Sequence, residues 1–457
     1  MGAPLVSVIV LNFNGEQIIA RCLDHLLAQT YPNLQILVVD NDSHDGSDAI
    51  LRAYEADGRV TVLRSPTNLG CAGGRNLALP EAQGEIVAFM DNDGYAAPDW
   101  LAAAVRVLDG DARVAAVAPL VFFNRHKLIL NGAGGTLNQR GYGGDFCYRE
   151  PYEFARLPHY VLYPMGCGMV MRRAVLDEMR RFDAALFNYY DDVEVGLWAW
   201  RLGRQVVCAP EAWVDHDFSA SDVINQNKAL LCERNRVRTV LKYFPAAHLP
   251  GWLVRELLSF VPRGPRWRWA LPYKVWSWNL WHLVSALRVR RRFGAARGGF
   301  RNLLDPGWGD FPPPCPNNQL NQPDPTQAGA TVDFCDDDTP AQLNFGWYSP
   351  ERDRQRTMRW TSGAASAFVH LPAGVAEAAI EWRGGRADQQ TTLRLRPVGE
   401  LGVVWEAVDA LPTEWTTQQF PCDAPAGLYE LQVLTSPVFG DRGNRALGVA
   451  VTRIAFA

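Results

Sequence analysis

Residues 86–94 read Ile86-Val87-Ala88-Phe89-Met90-Asp91-Asn92-Asp93-Gly94. An unbroken apolar run of this length suits a strand buried on both faces. It ends abruptly in two carboxylates two positions apart, so the strand delivers acids to whatever lies beyond the sheet edge. An Asp-x-Asp pair supplies the hard oxygen donors that Mg2+ or Mn2+ prefer, and through such an ion it can hold a diphosphate. Asp and Asn also build ordinary turns, so the stretch takes its meaning from the chain around it.

Working outward, apolar runs at Val6–Leu11, Gln35–Val39, Val60–Leu63 and Val114–Pro119 alternate with helical patterns. The helical patterns fall at Glu16–Gln29, Ser47–Ala56, Gly70 to about Ala82, and Asp99–Leu108. Alternation of this kind implies an α/β fold with a parallel sheet and helices on both faces. In such folds ligands sit beyond the carboxyl ends of the strands. Asp40 falls at one such end and Asp91 and Asp93 at another, which weakens the turn-only reading. No Gly-x-Gly-x-x-Gly follows the first strand and no Walker sequence occurs, which disfavours a dinucleotide or P-loop site. The run Asn68-Leu69-Gly70-Cys71-Ala72-Gly73-Gly74-Arg75-Asn76 suits backbone N–H groups and one cation aimed at a phosphate. It equally suits a flexible glycine turn.

Further on, the Gly-rich stretch Asn131–Gly144 reads as an irregular loop, Tyr163–Met171 as a strand resuming after small residues, and Arg172–Met179 as a helix. Asp191-Asp192-Val193-Glu194 opens a helical pattern. Carboxylates favour a helix start on dipole grounds, and one held beside a hydroxyl serves equally as a general base. Residues 209–217 read as a strand ending at His216, with Asp215 and Asp217 on either side. A neutral imidazole there is a candidate metal ligand or a hydrogen-bonded structural histidine.

These motifs in this order resemble the family 2 inverting glycosyltransferases of the GT-A fold, over roughly Val6 to Lys242, and the resemblance implies a Rossmann-like mixed sheet. Val8–Gly15 resembles the family's opening strand and turn, Val39–Ser47 its Val-Asp-Asn-x-Ser-x-Asp-Gly-Ser, and Asn68–Asn76 its Asn-x-Gly…Ala-Arg-Asn. Asp91-Asn92-Asp93 stands in place of Asp-x-Asp and Asp191–Glu194 in place of Glu-Asp-Val-Asp, while Glu233-Arg234-Asn235 is similar to a later Arg-Asn pair. The resemblance implies a nucleotide-diphosphate sugar donor, UDP- or dTDP-linked, held by Leu11, Asn12, Phe13, Asp40, Gly70, Arg75, Asp91 and Asn92. It implies Mg2+ or Mn2+ at Asp93 and Asp91 with His216, and Asp192 as general base. Two departures bear on this. Asp191 replaces a Glu, which leaves open which of Asp191 and Asp192 does the chemistry. Trp198 stands where an Arg is common.

Length and composition agree. A chain of 457 residues exceeds one core, so two or three domains are expected. With 48% hydrophobic and 21% charged residues it is globular. The formal net charge of −4 argues against nucleic acid as a partner. Nine cysteines without a Cys-x-x-Cys pair read as buried free thiols in a reducing compartment. No secretory signal opens the chain, and no apolar run reaches the roughly 18 residues of a membrane span.

The expected organisation is a GT-A catalytic domain over 1–245, a Trp/Arg-rich helical region over 246–304, a Pro/Asn/Gln-rich linker over 305–330 and a β-sandwich or jelly roll over 331–457. In the helical region Trp276, Leu280, Leu283 and Leu287 share one helical face. Trp and Arg on such helices suit a bilayer interface, and they equally suit packing on the catalytic domain or on a second subunit. In the last region, Phe345–Glu351 with Arg359-Trp360-Thr361 resembles a module appended to some bacterial glycosyltransferases; it reads as a sugar-stacking site or as a core tryptophan pair. The whole is expected to be an inverting, metal-dependent sugar transferase of bacterial-type surface polysaccharide synthesis. Its acceptor would be a glycan or lipid-linked glycan, and its place the cytoplasm, peripheral on the inner face of the membrane. The rival is a glycan-binding or scaffold protein that keeps the fold without catalysis.

Overall fold

The computed structural model describes residues 2–124, 126–148, 152, 155, 157–217, 228–259, 270–294, 330–333, 351–352, 357–361, 364–384, 389–397, 403–435, 438–439, 446–447 and 449–457. Two compact units are present. The first comprises Met1–Asn124, Ile129–Tyr148 and Phe154–Gly309, the second Arg125–Leu128, Arg149–Glu153 and Asp310–Ala457.

The first unit begins β1 (Val6–Asn12), α1 (Ile19–Leu27), β2 (Leu34–Asn41), α2 (Ser47–Tyr54), β3 (Val60–Ser65), α3 (Gly70–Ala78), β4 (Ile86–Asp91) and β5 (Gly94–Ala96). It continues with α4 (Trp100–Gly110), β6 (Val114–Phe123), β7 (His126–Gly132), β8 (Gly135–Leu137), β9 (Gly143–Asp145), β10 (Val170–Arg172) and α5 (Arg173–Met179). It ends with α6 (Asp191–Arg201), β11 (Gln205–His216), α7 (Lys228–Tyr243), α8 (Leu249–Ser259), α9 (Ala270–Trp281) and α10 (Leu283–Phe293). The sheet runs β3-β2-β1-β4-β10-β6-β11-β5, with β7 on β6.

Strands β3, β2, β1 and β4 are parallel, as the βα alternation requires, but β10 and β5 enter antiparallel. The sheet is therefore mixed, as the GT-A resemblance implies. Strand side chains alternate faces, and the core divides accordingly. Ile9, Leu37, Val39 and Phe89 lie in one cluster with residues of α3, α5, α6 and α7. Val8, Val10, Ile36, Val38 and Met90 lie in the other with α1 and α4. Fully burying each such side chain contributes roughly 1.5–3 kcal/mol, which is why these runs are strands in a two-faced sheet and not surface segments.

Three local expectations change. Asn131–Gly144 is not a plain loop, since it holds the end of β7, all of β8 and the start of β9, with β8 and β9 paired as a short hairpin. Its glycines admit close neighbours, because a Cβ at Gly135 would sit 2.1 Å from the Tyr163 ring. The strand expected over Tyr163–Met171 is confined to β10, because Gly168 turns the chain at φ +83. The face drawn through Trp276, Leu280, Leu283 and Leu287 is not uniform, since Trp276 and Leu283 are partly buried and Leu280 and Leu287 exposed, while backbone bonds from His282 N to Trp278 O and from Ala286 N to His282 O carry the helical turn from α9 into α10.

Besides a two-stranded pair of Val438–Phe439 with Ala446–Leu447, the described residues of the second unit carry two larger antiparallel sheets. One is six-stranded and built on Glu377–Gly384 and Val449–Phe456, the other four-stranded and built on Ala364–Leu371, Gly427–Thr435 and Gln390–Pro397. Trp382, Leu393, Leu431, Val451 and Ile454 share one core, which is the expected sandwich. Residues 305–329 of the expected linker lie outside the described residues, as do 345–350 of the Phe345–Glu351 motif.

Candidate active site

Strands β1, β2 and β4 end side by side, with Asn12 opposite Asp40 and Leu11 opposite Asp91. Asn12 is completely buried. Its Nδ2 donates to Asp40 Oδ1 at 3.4 Å and to Ser43 Oγ at 3.2 Å, and its Oδ1 accepts from Asn92 Nδ2 at 3.0 Å. One amide thus ties three strand ends together. Leu11 and Phe13 flank it, both partly exposed. A Cβ at Gly74 would meet Leu11 Cδ2 at 2.8 Å, so α3 lies close over β1.

Asp93 is buried, and its Oδ1 stands 3.2 Å from His216 Nε2. Pairing of β5 with β11 sets Gly94 opposite His216. On the ring's other side, His216 Nδ1 lies 3.0 Å from Asn131 Oδ1. An amide oxygen accepts from Nδ1–H and so fixes the ring with Nε2 toward Asp93, whose carboxylate accepts from Nε2–H when the ring is protonated. Burial disfavours the imidazolium, but Asp93 and then Asp91 outweigh it and push the pKa up to about 9. Ligand atoms of Asp91, Cys167 and His216 also lie within 4.8 Å of one another. Burial, reinforced by Asp91 and Asp93, holds the Cys167 thiol well above its ordinary value, so it stays protonated and is a poor ligand for a hard ion. Asp91 and His216 remain, and Asp93, 3.2 Å from His216, adds a carboxylate beside them; carboxylate oxygens and imidazole are donor types that Mn2+ or Mg2+ accepts.

Arg75 lies between the two acidic clusters. It is almost wholly buried, pairs with Asp191, stands 3.7 Å from Asp91 Oδ1 and donates to Gly166 O at 3.2 Å. Its guanidinium lies 5.0 Å from the Phe89 ring centroid. The expected phosphate cradle at Gly70 takes a different form. The amides of Gly70, Cys71 and Ala72 donate to Asn68 Oδ1, Asn188 Oδ1 and Phe187 O at 2.8, 2.8 and 3.1 Å. The start of α3 is therefore tied to protein acceptors.

Asp191 and Asp192 open α6 and differ sharply. Asp191 is buried against Arg75, whereas Asp192 is partly exposed and accepts from its neighbour's amide, Val193 N, at 2.8 Å. Burial first, then the charges of Asp191 and Asp145, push Asp192 up to about 8. Asp145, at the end of β9, accepts from Tyr163 Oη at 3.3 Å and is itself raised by burial to about 6.

The turn that presents α6 is unusual. Phe187, Tyr189 and Tyr190 all adopt positive φ, at 64, 71 and 72°, a region that disfavours bulky side chains. Asn235, fully buried in α7, holds this turn by donating Nδ2 to the carbonyls of Leu186, Asn188 and Tyr189 at 3.0, 2.7 and 3.0 Å. Arg234 adds bonds to Ala185 O and Leu186 O at 3.0 and 2.7 Å. Sequence reading marked Glu233–Asn235 without a task for it and passed over Asn131, Asp145 and Tyr163. Asn131 is 85 positions from His216, so nothing local signals it. Asp145 follows a pair of glycines, and this lone acid in a Gly-rich stretch was the one available hint.

Residues 7–180 match glycosyl transferase family 2. Two uncharacterized glycosyltransferases of Haemophilus influenzae are similar. One is 35% identical over 102 residues, covering 22% of this chain and 41% of that protein. The other is 34% identical over 232 residues, covering 49% of this chain and 70% of that protein. The Escherichia coli UDP-Glc:alpha-D-GlcNAc-diphosphoundecaprenol beta-1,3-glucosyltransferase WfgD is 38% identical over 98 residues, covering 21% of this chain and 37% of that protein. The match thus spans under half the length of the first and third of these relatives. On the family match and the 70% coverage of the second relative, the chain belongs to glycosyl transferase family 2.

Proposed function

We propose that the protein is an inverting glycosyltransferase. It moves a sugar from a UDP- or dTDP-linked donor to a hydroxyl of a glycan or lipid-linked glycan, in surface polysaccharide synthesis at the cytoplasmic face of the membrane. One observation carries the reading: Arg75 pairs with Asp191 and stands beside Asp91, while Asp192, one residue on, is partly exposed. This supports a donor edge and a base helix held as one site, with Asp192 rather than Asp191 as the base. The E. coli relative's name supports a UDP-sugar donor and a diphosphoundecaprenol-linked acceptor.

In this reading Asp40, oriented by Asn12, accepts from the nucleobase, and Leu11 and Phe13 line the nucleoside. Asp91, Asp93 and His216 would hold Mg2+ or Mn2+, which when bound supplies positive charge to the leaving diphosphate. Asp192 accepts the acceptor hydroxyl's proton as that oxygen attacks the anomeric carbon from the face opposite the leaving group, so the configuration inverts. A carboxylate raised by burial is a stronger base than an ordinary one, and general-base help contributes on the order of 10²–10⁴-fold. Asp145 and Tyr163, beside the base, present an acceptor and a hydroxyl to the incoming sugar.

The test is release of the matching nucleoside diphosphate, UDP or dTDP, from a panel of UDP- and dTDP-sugars with Mn2+. Asp192→Asn should lower turnover at least ~100-fold with UDP affinity retained. Near-normal turnover of this variant would remove Asp192 from the base role. Nucleotide binding without turnover of any donor by the unaltered protein would leave a binding protein on the same fold.

A further inference from the structure

Helices α8, α9 and α10 bury Trp252, Val275, Ala286 and Phe293 but leave a second set of apolar residues outward. On α8, Val254, Leu257 and Leu258 are 56, 59 and 59% exposed; at the junction of α9 and α10, Leu280, Trp281 and Val284 are 62, 86 and 63% exposed. Two polar residues of these helices are buried and tied to α7. Glu256 is 3% exposed and pairs with Arg236 at 2.8 Å, and Asn279 is 2% exposed and donates to Arg234 O at 3.1 Å. Helices that have already buried one apolar set and still expose leucines, valines and a tryptophan present more apolar surface than water favours.

Charge identifies what completes it. Glu256 is the only acid between Leu249 and Phe293 in the sequence, and it is consumed by Arg236. Arg255, Lys274, Arg288 and Arg291 are exposed. The outer surface is therefore apolar and cationic, with no exposed acid among its described residues. Two copies meeting through this face would set like charges together, which is costly. An anionic lipid surface matches both properties. Tyr273 and Trp281, exposed on α9, are side chains that favour the headgroup level.

The three helices have 11, 12 and 11 residues, about 16–18 Å each, too short for a hydrocarbon core of about 30 Å. Among the described residues no helix is long and apolar enough to cross a membrane. The geometry admits helices lying in the interface plane. They are also fastened to the catalytic layer. Arg238 of α7 donates to Ser285 Oγ at 3.0 Å, Arg290 donates to Leu241 O at 2.9 Å, Arg292 donates to Met179 O at 2.9 Å, and Arg201 of α6 bonds Phe293 O.

We propose that the outer faces of α8, α9 and α10 form a monotopic docking surface for an anionic lipid bilayer, and that their attachment to α6 and α7 fixes how the active site faces the membrane. This goes beyond the catalytic reading and is measured without donor or acceptor, so either can fail alone.

The test is flotation of the full chain with phosphatidylethanolamine–phosphatidylglycerol vesicles, compared with phosphatidylcholine vesicles. The protein should float with the anionic vesicles at low salt and bind less as salt rises. Leu257→Ser/Leu280→Ser/Trp281→Ser should weaken binding at least ~10-fold. Arg288→Gln/Arg291→Gln should remove most of the anionic preference, again roughly tenfold or more. These side chains are exposed, and unchanged far-UV dichroism would show that each variant folds. Absence of flotation at low salt, or flotation indifferent to both variants, overturns the proposal. So does a dimer in light scattering that Trp281→Ser dissociates while no vesicle binding is seen, since a second copy would then cover the face.

Discussion

Asp192 differs from Asp191 by one position along α6 and by its whole electrostatic surroundings. Asp191 meets a guanidinium; Asp192 meets burial and two like charges, from Asp191 and Asp145. A base works only when deprotonated, so in our reading kcat/KM should fall as pH drops through the raised value of about 8, far above the ordinary carboxylate range. Asp145→Asn removes one of the charges that raise Asp192. The acid limb of the kcat/KM profile should then move to lower pH, most visibly above about 6, where Asp145 is ionised. A profile that stays in place in this variant would show that Asp145 does not act on the base. Asp40, Asp91, Asp93 and His216 were recognisable as site candidates from residue type and strand-end position. The separate fates of Asp191 and Asp192 were not, because they depend on Arg75, 116 positions away from Asp191.

At the scale of elements, α6 is held from two sides. The turn before it stays in its positive-φ conformation because Asn235 satisfies three of its carbonyls. Asn235→Ala should cost about 2–4 kcal/mol in chemical denaturation, from three lost bonds and the carbonyls left buried, and should lower kcat more than donor affinity. Behind the helix, Glu194 contacts Lys242 and accepts from Tyr243 Oη at 2.7 Å, while Asp183 accepts from Lys242 and Arg238 at 2.8 and 2.6 Å. Asp183 resists burial because Lys242 and Arg238 hold its carboxyl well below the ordinary range. Removing one member of such a buried network strands the others, so Lys242→Met should cost roughly 3–5 kcal/mol, read as a lowered denaturant midpoint. The helices themselves were legible from apolar spacing. This bracing was not, since its partners lie 46 to 59 positions apart.

For the whole molecule, the site is assembled where the two halves of one mixed sheet meet: Asp40 and Asp91 end parallel strands, while His216 ends a strand on the far side of β10 and β6. A ligand that bridges the halves should stabilise them together. UDP with Mn2+ at about 100 times its dissociation constant should add about 2.7 kcal/mol, read as a rise in melting temperature that chelation reverses. His216→Ala should lose the Mn2+-dependent part of that rise and keep any part due to UDP alone. An equal rise in His216→Ala would separate this histidine from the ion.

By itself the sequence determined the element types, the α/β character of the first unit and the sandwich of the second, and the acids at strand ends. Those follow from apolar period and from residue type at strand ends, which a chain carries in its own order. Only the tertiary structure decided that β10 and β5 run antiparallel, that Arg75 occupies Asp191 and leaves Asp192, that Asn131 orients His216, and that α8–α10 leave a second apolar set outward. Each of these depends on which distant residue satisfies a buried charge or amide, and linear spacing does not encode that pairing.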